Sequence, residues 1–206
     1  MVSGQVRIII ENVTPEIDNG KFYIKRVIDE HVTVEADLFA DGHDVVNGHV
    51  LYKHESDKKW RKTPMLEMVN DRWAGTFQVT KQGHYHYSVE AWVDYALNWQ
   101  HNIERKIEDG QHVNVELLDG IQYLETVRKG ASTTEKKYLD HLIDLFKDEK
   151  SYEEAVKEAS GKKLGEVFRK YPVNPFKLKY DKELTVYVDR KKALFSTWYE
   201  FFPRSS

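Results

Sequence analysis

Apolar and polar residues alternate with a period of two through the first half of the chain. Val32, Val34, Ala36 and Leu38 are interleaved with Thr33, Glu35 and Asp37. That is the pattern of a strand with one face buried and one in water. Trp73, Gly75, Phe77 and Val79 alternate with Arg72, Ala74, Thr76 and Gln78, and Tyr85, Tyr87, Val89, Ala91 and Val93 with His84, His86, Ser88, Glu90 and Trp92. Val6, Ile8 and Ile10 make a shorter strand. Turn signals at Asp41-Gly42, Asp57-Lys58-Lys59, Asn70-Asp71 and Gln82-Gly83 separate these runs. Short strands at this spacing predict a β-sandwich.

From residue 111 the period becomes helical. Val113, Leu117, Ile121, Leu124 and Val127 fall on one stripe. Ser132-Thr133-Thr134-Glu135 reads as a capping box, and so does Ser151-Tyr152-Glu153-Glu154. The first opens a helix carrying Leu139, Leu142, Ile143 and Phe146. The second opens a short one ended by Gly161, and a last amphipathic stretch runs to Pro172. After 176 the period of two returns in Leu184, Val186 and Val188. A lone strand must rejoin the earlier sheets. The expected fold is therefore mainly β with an α insertion: an immunoglobulin-like antiparallel β-sandwich interrupted by a small helical bundle. Its expected boundaries are 1–110 for the first part of the sandwich, 111–175 for the insertion and 176–206 for the completion.

Composition narrows the chemistry. The chain has 206 residues with 31 Lys/Arg against 34 Asp/Glu, and no segment is basic enough to track phosphates, so nucleic acid is not an expected partner. No apolar run reaches the length of a membrane span. Without cysteine there is neither a disulfide nor a thiolate metal site or thiol nucleophile. The N-terminus carries no signal-peptide pattern, so a cytoplasmic setting is expected. Phe195, Trp198, Tyr199, Phe201 and Phe202 crowd the last twelve residues. A stretch this apolar is expected to dock on something, either this sandwich or a further domain.

Candidate chemistry is sparse. His84 and His86 share a strand face, which is half a metal site, but no third ligand is indicated, so neither metal nor cofactor is expected. Asp41 and Asp44 flank a glycine turn and read as solvated loop residues rather than a catalytic pair. Tryptophans are the sharper question. Trp92, Trp99 and Trp60 are candidate glycan contacts, since a sugar ring stacks on an exposed aromatic face; core or interface packing is the other reading of each.

The segments RIIIENVTPEIDNGKF (7–22), KRVIDEHVTVEADLFADGHDVV (25–46), DRWAGTF (71–77), GHYHYSVEAWVD (83–94) and WYEFFPRS (198–205) carry a resemblance. They resemble the α-1,4-glucan:maltose-1-phosphate maltosyltransferases of the α-amylase superfamily, glycoside hydrolase family 13. The resemblance implies the N-terminal region of such an enzyme, ahead of a catalytic barrel that lies outside residues 1–206. By resemblance the whole enzyme is a glycosyltransferase of α-glucan biosynthesis that moves maltosyl units from maltose 1-phosphate to an α-1,4-glucan and releases phosphate. No catalytic residue falls within this chain, which alone is expected to be inert. The implied role is architectural: packing on the barrel of the same polypeptide and homodimerisation, with Val113, Leu117, Ile121, Leu124, Trp198, Tyr199, Phe201 and Phe202 as candidate interface residues. The alternative is an α-glucan-binding module of an α-amylase-like glycoside hydrolase, with α-1,4-glucan as ligand.

Overall fold

The computed structural model describes residues 7–42, 44–195 and 199–205. The chain divides into two compact units, one comprising 9–39, 48–91 and 178–206 and the other 1–8, 40–47 and 92–177.

The first unit is built of two sheets. Strands β1 (Ile8–Thr14), β3 (His31–Ala40), β7 (Arg72–Gln78) and β6 (Leu66–Glu67) form one, in the order β1-β3-β7-β6. The other runs β2 (Ile24–Val27), β10 (Leu184–Asp189), β8 (Gly83–Val93), β4 (Val46–His54), β5 (Arg61–Pro64), with β9 (Leu178–Lys179) added on β8. The predicted alternation is seen directly. Val32, Val34, Ala36 and Leu38 of β3 are buried while the residues between them face outward. Each of the valine and leucine side chains contributes about 1.5–3 kcal/mol when fully removed from water.

These sheets meet through aromatic rings: Phe77 of β7 stacks on Tyr52 of β4 with centroids 4.4 Å apart and planes 12° apart. Gly75 of β7 permits the approach, because a Cβ there would come within 2.7 Å of Val50 on β4. The β3–β7, β4–β5, β6–β7 and β8–β9 pairings are antiparallel, as expected. The pairing of β10 differs: it inserts between β2 and β8, antiparallel to β8 but parallel to β2, with Val186 opposite Ile24. A parallel neighbour needs a long connection rather than a hairpin, and β2 and β10 are separated by most of the chain.

The second unit holds the five α-helices of the described residues: α1 (Tyr95–Glu108), α2 (Asn114–Gly130), α3 (Thr133–Lys147), α4 (Tyr152–Ala159) and α5 (Lys162–Lys170). Helical structure starts at Tyr95, well before the period change read at 111. Asp94 supplies the start signal, accepting a hydrogen bond from the Leu97 N–H at 3.2 Å. Ser132 forms the predicted box with Glu135. Ser151 does not form the second one. A 3₁₀ turn, Glu149–Ser151, precedes α4, and the Ser151 hydroxyl donates instead to Asp148 at 2.7 Å. Asp148 thus does the capping that Ser151 was expected to do, accepting also from the Lys150 N–H at 3.1 Å.

The core of this unit gathers around Trp99, whose ring lies 6.1 Å from Phe146 and 6.2 Å from Phe168. Its indole N–H donates to the Glu116 carbonyl at 2.7 Å. Gln100, also buried, donates to the carbonyls of Ala159 (2.9 Å) and Gly161 (3.1 Å), supplying donors to the end of α4.

Candidate functional site

The three candidate tryptophans occupy packed positions. Trp92 is 2% exposed and Trp99 8%. A Lys177 ammonium lies 5.1 Å from the Trp92 ring centre, whereas Trp99, though mostly buried, lines the cleft of α1 and α2 described below. Trp60 is half-buried on the sheet unit, and its ring is approached by Lys53 (4.6 Å) and Lys179 (4.8 Å). Lysines over an electron-rich ring gain a cation–π attraction, with which a stacking sugar would have to compete.

The candidate interface residues divide. Val113, Leu117 and Leu124 are fully buried within the helical unit and Ile121 packs against the same core, so this stripe is used inside the chain. Trp198 lies outside the described residues. Tyr199, Phe201 and Phe202 are exposed, Tyr199 at 88%. Two further apolar groups that periodicity did not single out are also in water. Leu66, Met68 and Val69 lie on and just after the edge strand β6, and Val115 and Leu118 lie on α2. A two-residue strand is too short to show a period.

The polar candidates are engaged structurally. His84 and His86 point to different carboxylates, with Nδ1 3.4 Å from Glu55 and 3.1 Å from Glu183 respectively. Among the described residues, no three His, Asp or Glu side chains converge as metal ligands. Asp41 and Asp44 share one partner: Arg7 donates through Nε to Asp41 at 2.8 Å and places Nη1 2.8 Å from Asp44. The bond from Arg7 holds the Asp41 carboxyl below its ordinary pKa. Two carboxylates fixed on one guanidinium are a loop clamp, not an acid/base pair.

The helical unit contains a concave site that the sequence reading missed. A cleft of about 490 Å³ is lined by residues of α1 and α2, among them Tyr95, Asn102, Arg105, Asp119, Gln122 and Tyr123. Its volume falls in the usual range of ligand sites. The polar residues that line it look, in sequence, like any solvated helix face. Only Ala96, Trp99 and Ile103 at helical spacing could have revealed α1, and with it the cleft's first wall.

Comparison with known proteins gives concordant results. The family model for α-1,4-glucan:maltose-1-phosphate maltosyltransferase, domain N/S, matches residues 6–190. The chain is similar to the maltosyltransferase of that name from Chlorobaculum tepidum, 38% identical over 202 residues that make up 98% of this chain and 30% of the relative. It is 36% identical to the Myxococcus xanthus protein over 97% of this chain and 31% of that protein. For Methylacidiphilum infernorum the identity is again 36%, over 99% and 30%. This chain therefore spans about three-tenths of the length of these relatives. The family resemblance read from the quoted segments is borne out. No helix of the described residues is long and apolar enough to cross a membrane.

Proposed function

Because the chain belongs to the α-1,4-glucan:maltose-1-phosphate maltosyltransferase family, we propose that it serves as the non-catalytic N-terminal region of an enzyme that extends α-1,4-glucans from maltose 1-phosphate with release of phosphate. The observation that carries this reading is the match of domain N/S over residues 6–190 in a chain three-tenths as long as its relatives. Catalysis belongs to a barrel elsewhere in the polypeptide. In this reading the two facing sheets are an immunoglobulin-like sandwich, with β10 closing it after the helical excursion.

The role is architectural. Leu66, Met68 and Val69 beside the edge strand, and Tyr199, Phe201 and Phe202 beyond β10, offer apolar area of the kind an interface buries. Their partners are the barrel and a second subunit, giving a homodimer. A cytoplasmic setting goes with the chemistry, since a sugar phosphate is charged and does not cross a bilayer unaided.

The test compares the complete enzyme, the enzyme lacking residues 1–206, and residues 1–206 alone. Phosphate release from maltose 1-phosphate and sedimentation are measured for each. The proposal requires transfer by the complete enzyme, none by residues 1–206, and loss of the dimer on truncation. Turnover by residues 1–206, or an intact dimer without them, overturns it. A second reading, glucan binding by the helical unit, is favoured by the cleft of α1 and α2.

A further inference from the structure

We infer that the cleft lined by α1 and α2 is a binding site for a neutral oligosaccharide, namely a segment of α-1,4-linked glucan. Asn102 and Gln122 each present an amide that both donates and accepts, and neither side chain is hydrogen-bonded among the described residues. The hydroxyls of Tyr95 and Tyr123 are also without a hydrogen-bond partner there. Vicinal sugar hydroxyls are themselves donor and acceptor together, so planar amides, which also donate and accept, match them.

Charge selects the class of ligand. Lys106 and Glu116 pair with each other at the cleft wall, which uses up one charge of each sign. Arg105 shares the lining with Asp109 and Asp119, so the cleft carries no net positive charge to attract a phosphate. Metal ions are equally ill-served, with no converging ligand set among the described residues. A polar, aromatic-walled and nearly balanced cleft suits a neutral polyol.

The rings supply the apolar half of recognition. Tyr95 and Tyr123 are half-buried, so each ring is held in place while keeping part of its surface in the cleft. Trp99 supports Tyr123 from below, with centroids 6.3 Å apart. Burial and the Asp119 carboxylate raise the Tyr123 pKa, so its hydroxyl stays a donor. The α-1,4 linkage rests on the family reading; the sugar class rests on the cleft alone.

Residues 1–206 are titrated with maltoheptaose, and with cellohexaose as the β-linked control, by calorimetry and amide chemical-shift mapping. Saturable binding of maltoheptaose is expected near a Kd of about 1 mM, with shifts confined to α1 and α2 and none with cellohexaose. The double variant Asn102→Ala/Gln122→Ala should weaken it at least about tenfold with an unchanged melting temperature, because both residues are exposed. Absence of saturable binding, binding that the double variant retains, or equal binding of cellohexaose overturns the inference. So does a loss on Tyr187→Ala, in the surface ring cluster with Tyr23 and His84 on the sheet unit. Maltosyl transfer by the complete enzyme tests the family reading separately, so failure of one is distinguishable from failure of the other.

Discussion

The indole of Trp99 on α1 occupies the space that Gly120 leaves on α2: a Cβ built on Gly120 would overlap the Trp99 ring. The glycine sits in the middle of a helix, where it costs about 1 kcal/mol relative to alanine. Its retention there is explained by the ring, which also fixes the floor of the cleft. Gly120→Ala should gain that propensity yet lose more by overpacking, typically 1–3 kcal/mol. Chemical denaturation of the variant checks the sign; a stabilised Gly120→Ala would mean that the indole can move aside at no cost.

Capping distinguishes two serines that look alike in the sequence. Ser132→Ala should cost about 1 kcal/mol, because its hydroxyl accepts from an orphan N–H of α3. Ser151→Ala should cost less than Asp148→Ala, since Asp148 is the residue that accepts at the turn before α4. Denaturation midpoints of the three variants rank them, and a larger loss for Ser151→Ala would contradict the observed turn.

Asp94 makes the helical unit sensitive to pH. Burial raises its pKa from 3.8 to about 6, against hydrogen bonds from the Leu97 and Ala96 N–H groups, Trp92 and Asn47. Between those values the folded chain holds a proton that the unfolded chain has released. Its contribution to stability therefore falls as pH rises through that window and stays lost above it, by about 3 kcal/mol. Asp94→Asn keeps a capping side chain and removes the titration, so stability measured from pH 4 to pH 6 should lose this slope. An unchanged slope would assign it to another group.

Glu135 acts with the opposite sign. The Lys170 ammonium first, then Ser132 and Tyr171, hold its carboxyl at about 2, below the ordinary 4.5. The stabilisation is present in full above 4.5 and disappears as pH falls toward 2. The contacts tie the first turn of α3 to the end of α5, with Lys170 Nζ at 2.7 Å and the Tyr171 hydroxyl at 2.8 Å. Lys170→Met should therefore raise the Glu135 pKa, observable by carbon NMR of its carboxyl; no rise would show that the ammonium does not hold it.

Leu66 and Val69 test the architectural role without disturbing the fold. Both are 72% exposed, so Leu66→Ser/Val69→Ser should leave the melting temperature of residues 1–206 within about a degree or two, as surface changes usually do. In the complete enzyme the same pair should weaken the dimer or the attachment of this region to the barrel, read by sedimentation and by limited proteolysis. Unaltered behaviour in both assays would remove the β6 edge from the interface.

Local structure was legible wherever a residue's neighbours in the chain decide its state. The period of two over Val32–Leu38 and Trp73–Phe77, the stripe from Val113 to Val127 and the Ser132 box all rest on spacing or on hydrogen bonds spanning three residues. Helix α1 was missed although its apolar spacing is regular, because the strand pattern of β8 runs straight into it and only the Asp94 cap marks the change.

What the sequence by itself determined was the pair of periodicities, the return to strand after 176 and, through long distinctive segments, the family. Tertiary structure alone decided that β10 enters between β2 and β8 and runs parallel to β2. It also decided that Trp92 is packed away while Trp99 forms the floor of a cleft in which Asn102, Gln122, Tyr95 and Tyr123 come together. The reason is physical: periodicity states which face of an element is apolar, but not which other element covers it, and a polar side chain facing open water has the same sequence signature as one facing a ligand.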